Sequence, residues 1–182
     1  YKENATMMHY EACENSNYEL KKEKMFLVDS GAQYYDGTTD ITRTIILGDI
    51  TEEEKRDFTL TLKGHINLIN ARFLYGATGS NLDVLARYPL WQEGIDYKCG
   101  TGHGVGFLLN VHEGPHRISP LPNSVKLEKG MVVTIEPGVY KEGSHGIRIE
   151  NVAVVEEDIN TDSGQFMKFE VLSYCPIDLD GV

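Results

Sequence analysis

Four carboxylates stand where strand-like segments should bury their side chains. Asp29 ends the apolar run FLVD, Asp40 lies in TTDIT, Glu136 in VVTIEPG and Glu150 in IRIENV. Any one of them alone is simply explained as a strand-end group or as half of a salt bridge. Four of them together, with only two arginines nearby, are harder to explain, because burying an unpaired anion costs several kcal/mol. Neighbouring carboxylates also repel unless a proton or a cation separates them, so the pattern favours a metal site.

His103 is the one imidazole that joins this set readily, isolated among the glycines of GTGHGVG. By itself it is as well explained as a hydrogen-bonded structural histidine. With the carboxylates it makes an oxygen-rich donor set, which favours hard ions such as manganese or magnesium over zinc. Four carboxylates exceed the needs of one ion, so two ions about 3.5–4 Å apart are expected. Such a pair activates water and polarises a carbonyl or phosphoryl oxygen, which predicts a hydrolase.

Composition narrows the class of protein. The 182 residues are enough for one domain with a substantial core, and 41% hydrophobic with 25% charged residues is ordinary for a globular chain. A formal net charge of −11 argues against nucleic-acid and membrane partners. The three cysteines form no CxxC pair, and no signal peptide or transmembrane run is present, so we expect free thiols and a cytoplasmic location.

The segment carrying the two aspartates has the pattern of paired strands. MFLVD is a short apolar run, and Asp36-Gly37 is a turn signal before TTDITRTIIL. Residues 25–47 are therefore predicted to form an antiparallel pair joined by a long, structured connection, with Asp36 as a turn residue.

Two helices should follow. Thr51 and Glu54 form a capping box, and a second, weaker helix is predicted from about Asn81, with Pro89 kinking or ending it. Apolar residues at spacings of three and four predict that one face of the first helix packs on the sheet. This stripe consists of Phe58, Leu62, Ile66, Ile69 and Phe73.

The second half of the chain is glycine-rich and strand-like. Alternate glycines in CGTGHGVG predict an extended segment that allows close approach, without a nucleotide-binding fingerprint. LEKGMVVTIEPGVY is read as a strand ending in Glu136-Pro137-Gly138, and FMKFEVLSY as a further strand. GIRIENVAVV is read as an alternating strand with Arg148 and Glu150 on one face. The predicted class is one α+β unit with a mainly antiparallel sheet and helices on one face.

These motifs resemble those of aminopeptidase P (Xaa-Pro aminopeptidase), a family of pita-bread metallopeptidases. DSGAQYYDGTTDITRT, GTGHGVGFLLNVHEGP, TIEPGVY and GIRIENV occur in that family's order and spacing, from about His9 to Ile177. The resemblance implies the creatinase/methionine aminopeptidase-like fold, with a curved antiparallel sheet and helices on its outer face. It also implies that residues 1–182 are a partial C-terminal catalytic domain, truncated at its N-terminus, with the preceding domains absent.

The resemblance assigns roles residue by residue. It implies two divalent ions, Mn²⁺ being favoured and Co²⁺ or Zn²⁺ being alternatives. Asp29 would bind one ion, Asp40 and Glu150 would bridge both, and His103 and Glu136 would complete the other.

Substrate contacts are implied for four further side chains. His112 is expected to contact the substrate carbonyl and stabilise the tetrahedral intermediate, and His9, Tyr140 and Arg148 are expected to line the substrate pocket. Arg148 has an alternative role as the partner of a ligand carboxylate. His65 and His116 are expected to be structural or exposed, and His145 has no assigned role.

The implied reaction is release of the N-terminal residue from peptides with proline in second position. A hydroxide bridging the two metals would attack the carbonyl before proline, with Glu136 as base and proton shuttle. Prolidase, which cleaves only the dipeptide, and a non-catalytic peptide-binding module are the alternatives. Cys99 stands where many relatives carry histidine, which puts one substrate contact in doubt. Whether this chain alone binds metal or is active, and whether the full-length protein is a homo-oligomer, stay open.

Overall fold

The two predicted aspartate ligands lie on one β-hairpin. The computed structural model describes residues 1–182, and its strands β1 (Met25–Tyr34) and β2 (Gly37–Ile46) pair antiparallel. The predicted long connection is wrong, because pairing continues to Tyr34 and Gly37 and leaves a two-residue turn. Asp29 pairs with Thr42, two residues beyond Asp40 on β2, so the two aspartates share one face of the hairpin.

Helix α1 (Glu52–Ile69) begins with the predicted capping box. Thr51 accepts from the backbone N–H of Glu54, and the Glu54 carboxylate accepts from the N–H of Thr51. The predicted stripe runs too far, because Phe73 lies on strand β3 (Arg72–Leu74). Its ring packs against that of Phe169, with centroids 5.2 Å apart, so a strand position buries this side chain equally well. Ile66 is exposed.

Helix α2 (Gly79–Trp91) begins two residues before the predicted start and passes through Pro89. Proline cannot donate to the carbonyl four residues before it, which here belongs to Leu85. The Asn67 side chain of α1 donates to that carbonyl at 3.5 Å instead. The two helices can approach closely because Gly64 faces the Ala86 carbonyl, where a β-carbon would lie only 2.3 Å away.

A four-stranded antiparallel sheet supports the second half of the chain. Besides β3 it contains β6 (Val132–Ile135), β9 (Asn151–Thr161) and β10 (Gly164–Val171). The strand order in this sheet is β3, β10, β9 and β6. Thirteen buried apolar side chains join this sheet to both helices, among them Leu68, Leu82, Val133 and Phe169. The predicted antiparallel α+β class is confirmed.

Two short strand pairs adjoin the predicted metal ligands. Strand β4 (Gly102–His103) pairs with β5 (Arg117–Ile118), and β7 (Gly138–Lys141) pairs with β8 (His145–Arg148). Strand β6 ends at Ile135, next to the end predicted at Glu136-Pro137-Gly138, whereas the strand predicted to run through GIRIENVAVV is divided at residues 149–150. The predicted extended glycine run is strand only at β4. Alternation did not reveal the break at 149–150 because residues 147–150 are buried on both faces.

Three-10 helices occupy Lys2–Thr6 and Leu179–Gly181 near the chain ends. Neither α-helix has the length and apolar character needed to cross a bilayer.

Candidate metal centre

The five predicted metal ligands come from separate parts of the fold and meet at one cavity. Asp29 lies on β1, Asp40 on β2 and His103 on β4, while Glu136 follows β6 and Glu150 separates β8 from β9. All five line a cavity of about 350 Å³. Glu136 and Glu150 thus reach the cavity at points where a strand has ended.

Potential ligand atoms form three overlapping groups, within each of which all atoms lie within 4.8 Å of one another. Asp40, Glu150 and His103 each occur in two groups, an arrangement suited to neighbouring ions that share ligands. His112 joins one group as a sixth donor. The groups are Asp29–Asp40–Glu150, His103–Glu136–Glu150 and Asp40–His103–His112.

His103 is oriented by its own loop. Its Nδ1 lies 2.9 Å from the Gly104 carbonyl, so Nδ1 carries the proton in that hydrogen bond. The Nε2 atom then faces Glu136 Oε1 at 3.3 Å and Asp40 Oδ2 at 3.5 Å. Burial lowers the pKa of His103, but the hydrogen bonds to Asp40 and Gly104 and the charge of Glu136 raise it to about 9. A proton thus sits among the carboxylates of the metal-free protein.

Burial and repulsion between neighbouring carboxylates affect the pKa of Glu150 strongly. Glu150 is 1% exposed, and burial, followed by the charges of Glu136 and Asp40, raises its pKa to about 9. Burial also raises the pKa of Glu136. Divalent cations displace such protons and compensate the repulsion, so the residues present fit a metal centre.

Two threonine hydroxyls hold the glutamates. Thr42 donates to Glu150 Oε2 at 2.7 Å, and Thr134 donates to Glu136 Oε1 at 3.0 Å while accepting from the backbone N–H of His103. Sequence reasoning missed both threonines. Thr42 lies two residues after Asp40, and Thr134 lies two residues before Glu136. Because residues two apart in an extended segment share a face, this spacing was the signal that could have identified them.

Arg148 lines the cavity but is already engaged. Its guanidinium donates to Asp29 Oδ2 at 2.8 Å, to the Tyr140 hydroxyl at 2.9 Å and to the Thr42 hydroxyl at 3.1 Å. These bonds fit the alternative role of supporting a ligand carboxylate. The substrate contacts predicted for Arg148 and Tyr140 stay predictions.

His9 and His112 stand exposed at the mouth of the cavity. Their ring centroids are 6.1 Å apart, and the His112 ring lies 4.2 Å from that of His103. Burial, followed by the neighbouring charge of His103, lowers the pKa of His112. Cys99 also lines this cavity. The structure thus brings all the predicted site residues to one cavity.

The remaining histidines lie elsewhere. His65 is buried, with Nε2 3.1 Å from the Asn151 amide nitrogen, and His116 is buried beside the Val132 carbonyl. His145 forms a buried contact with Asp57 at 3.0 Å, which sequence reasoning did not foresee.

Comparison with known proteins agrees with this geometry. Residues 1–157 match metallopeptidase family M24. The chain is 49% identical over 176 residues to aminopeptidase P1 of Lotus japonicus and 48% identical over 187 residues to that of Arabidopsis thaliana. These alignments cover 95% and 97% of this chain but only 27% and 29% of the relatives, so the chain spans less than a third of their length.

Solved structures give the same result. An X-prolyl aminopeptidase from Caenorhabditis elegans, described as a cytosolic enzyme with a di-nuclear active site, superposes with a TM-score of 0.94 at 44% identity. The match covers 100% of this chain and 30% of that one. Prolidase from Pyrococcus furiosus superposes with a TM-score of 0.77 at 29% identity, over 92% of this chain and 46% of its own. The chain therefore belongs to metallopeptidase family M24, has the pita-bread fold of its neighbours, and resembles the aminopeptidases P within that family.

Proposed function

We propose that this chain carries the catalytic site of a metal-dependent aminopeptidase that releases the N-terminal residue from peptides with proline in second position. The observation that carries the proposal is the set of overlapping ligand groups around one cavity, open at a mouth that bears two histidines. The similarity to proteins named aminopeptidase P1 and X-prolyl aminopeptidase supports the proline preference.

Two divalent ions would be held by the side chains of Asp29, Asp40, His103, Glu136 and Glu150. The oxygen-rich donor set favours Mn²⁺, with Co²⁺ and Zn²⁺ as alternatives. When bound, such a pair supplies a hydroxide nucleophile at neutral pH and polarises the scissile carbonyl. The di-nuclear site named for the Caenorhabditis elegans protein supports two ions, and its description as cytosolic supports a cytoplasmic location.

Glu136 is the proposed general base and proton shuttle. Its carboxylate faces the cavity, held through Oε1 by Thr134. It would accept a proton from the attacking water and deliver it to the proline nitrogen as the leaving group departs. His112, across the cavity mouth, would donate a hydrogen bond to the oxyanion that develops on the carbonyl oxygen.

The remaining site residues would bind and orient the peptide. A free α-amine would be attracted to the carboxylates, which fixes cleavage after the first residue. His9 would contact substrate at the cavity mouth. Tyr140 and Arg148 would shape the wall while Arg148 holds Asp29 in place.

The test uses the full-length protein that contains this chain, stripped of metal and reconstituted with Mn²⁺. Cleavage of an Xaa-Pro-Xaa tripeptide with release of the first residue is the expected result. Cleavage of the Xaa-Pro dipeptide alone would assign a prolidase instead. Less than one equivalent of bound metal together with no hydrolysis would indicate a non-catalytic peptide-binding module.

A further inference from the structure

A buried ion pair on α2 lies outside the cavity yet is bonded to its wall. Arg87 and Asp83 are 1% and 2% exposed, and Arg87 Nε lies 2.6 Å from Asp83 Oδ2. The guanidinium also donates to the Asp96 carboxylate at 2.9 Å, to the Tyr97 carbonyl, and to the Cys99 carbonyl at 2.7 Å. A buried guanidinium is costly unless fully partnered, and most of these partners belong to the segment 96–101. The pair therefore fixes that segment to α2.

Asp83 extends the network by one more residue. Its Oδ1 accepts from the Thr101 hydroxyl, whose oxygen also lies 2.6 Å from the Tyr97 hydroxyl. Thr101 is fully buried, and its carbonyl accepts the backbone N–H of Glu136 at 2.7 Å. A continuous path thus runs from α2 through Thr101 to the proposed general base.

The N–H of Glu136 depends on this bond. The pairing of β6 with β9 ends at Ile135, and Pro137 follows with no N–H of its own. The two segments are also pressed together, because a β-carbon at Gly102 would lie only 1.9 Å from the Thr134 carbonyl. A displacement of Thr101 is therefore transmitted to Glu136.

We propose that the Asp83–Arg87 pair, acting through Thr101, is a positioning device that sets Glu136 in the metal centre. The inference rests on the proposed function, since it assigns Glu136 to metal binding. Thr101 acts through its neighbour and touches no substrate. The alternative is that the pair only anchors α2 to the core and contributes stability alone.

Thr101→Val separates the two roles because it keeps the shape of the side chain and removes only the hydroxyl. Loss of an outer hydrogen-bond partner typically weakens metal binding by about 10–100-fold, so Mn²⁺ titration of the metal-free protein by calorimetry should show such a loss at one site. Thr101→Ser restores the hydroxyl and should restore affinity. In turnover assays, kcat should fall in Thr101→Val while KM changes little.

Thr61→Val is the matched control. Thr61 is also fully buried, and its hydroxyl donates to the Asp57 carbonyl on α1. This variant should lose stability but keep wild-type Mn²⁺ affinity. Wild-type affinity in Thr101→Val, or an equal loss of affinity in Thr61→Val, would overturn the inference.

A second variant decides the matter if Thr101→Val does not fold. Tyr97→Phe removes only the hydroxyl beside Thr101 and should weaken Mn²⁺ binding in the same direction, and unchanged affinity would overturn the inference. Failure of the unaltered protein to bind Mn²⁺ would instead overturn the proposed function, and with it the role assigned to Glu136. The two failures are thus distinguishable.

Discussion

Replacing Glu150 by glutamine should stabilise the metal-free protein while abolishing its stabilisation by metal. Glu150 is buried beside Asp40 and Glu136, and Thr42 donates to its Oε2 at 2.7 Å. Glutamine has the same shape, keeps an oxygen that can accept from Thr42, and carries no charge. The substitution therefore removes the anion and leaves the packing in place.

The magnitude follows from the pKa of Glu150, raised from 4.5 to about 9, first by burial and then by the charges of Glu136 and Asp40. A carboxyl whose folded pKa is raised destabilises the native state progressively as pH rises from 4.5 to 9, because the native state must hold a proton that the unfolded state releases. At 1.36 kcal/mol per pH unit, the interval between 4.5 and pH 7 corresponds to about 3 kcal/mol. Glu150→Gln should recover up to that amount at pH 7, and almost none near pH 4.5.

The assay is urea unfolding of chelator-treated protein at pH 5, 7 and 8, with and without Mn²⁺. The advantage of Glu150→Gln should grow with pH in the metal-free samples, whereas Mn²⁺ should stabilise only the wild type, since a ligand that binds the native state raises its unfolding free energy. Glu170→Gln, at an exposed position on β10, is the control and should change little. A metal-free Glu150→Gln protein that is less stable at every pH, or one that Mn²⁺ stabilises fully, would refute the reasoning.

Three further substitutions test the site and the core. Asp40→Asn should abolish tripeptide hydrolysis because Asp40 is shared by two ligand groups, while Asp36→Asn, in the turn of the same hairpin, should not; wild-type turnover in Asp40→Asn rules out the proposed centre. His112→Ala should lower kcat by about 10²–10³-fold, as loss of an oxyanion donor does, without changing Mn²⁺ affinity measured by calorimetry; a loss of affinity would make His112 a metal ligand instead. Burial, followed by the charge of Arg43, lowers the pKa of His65 to about 4, so the native state loses stability as pH falls from 6.5 towards 4. His65→Gln should remove about 3 kcal/mol of that loss in unfolding experiments at pH 7 and pH 4, and an unchanged acid profile would contradict the assignment.

Local signals in the sequence predicted the helices better than the strands. The capping box at Thr51 fixed where α1 begins, because cap chemistry is local. The strand end at Glu136-Pro137-Gly138 was predicted, but the break at Ile149 was missed, because both faces of residues 147–150 are buried and alternation loses its meaning there. Whether Pro89 ends α2 or only kinks it was left open by the sequence, since the continuation of the helix depends on a side chain of the neighbouring helix.

The candidate ligands were found because a carboxylate within an apolar run is anomalous without any knowledge of the fold. Arg87 carries no such anomaly, because an arginine on a helix is normally exposed. Its burial depends on carbonyl groups of residues 97 and 99, which reach it only through the course of the loop. A charged residue within an apolar run can therefore be recognised from the sequence. A buried charged residue whose partners come from a distant loop cannot be recognised in that way.

The ligand-bearing segments are tied to one another through their backbones. The N–H of Glu136 donates to the carbonyl of Thr101, two residues before His103, and the N–H of Glu150 donates to the carbonyl of Thr42, two residues after Asp40. Each glutamate lies where a strand has ended, so its N–H is free to make this bond outside the ladder. A strand break that weakens the sheet thus allows one ligand segment to position another. The position of each glutamate ligand therefore depends on the segment to which its N–H is bonded. A substitution in that segment should alter how tightly the glutamate binds metal.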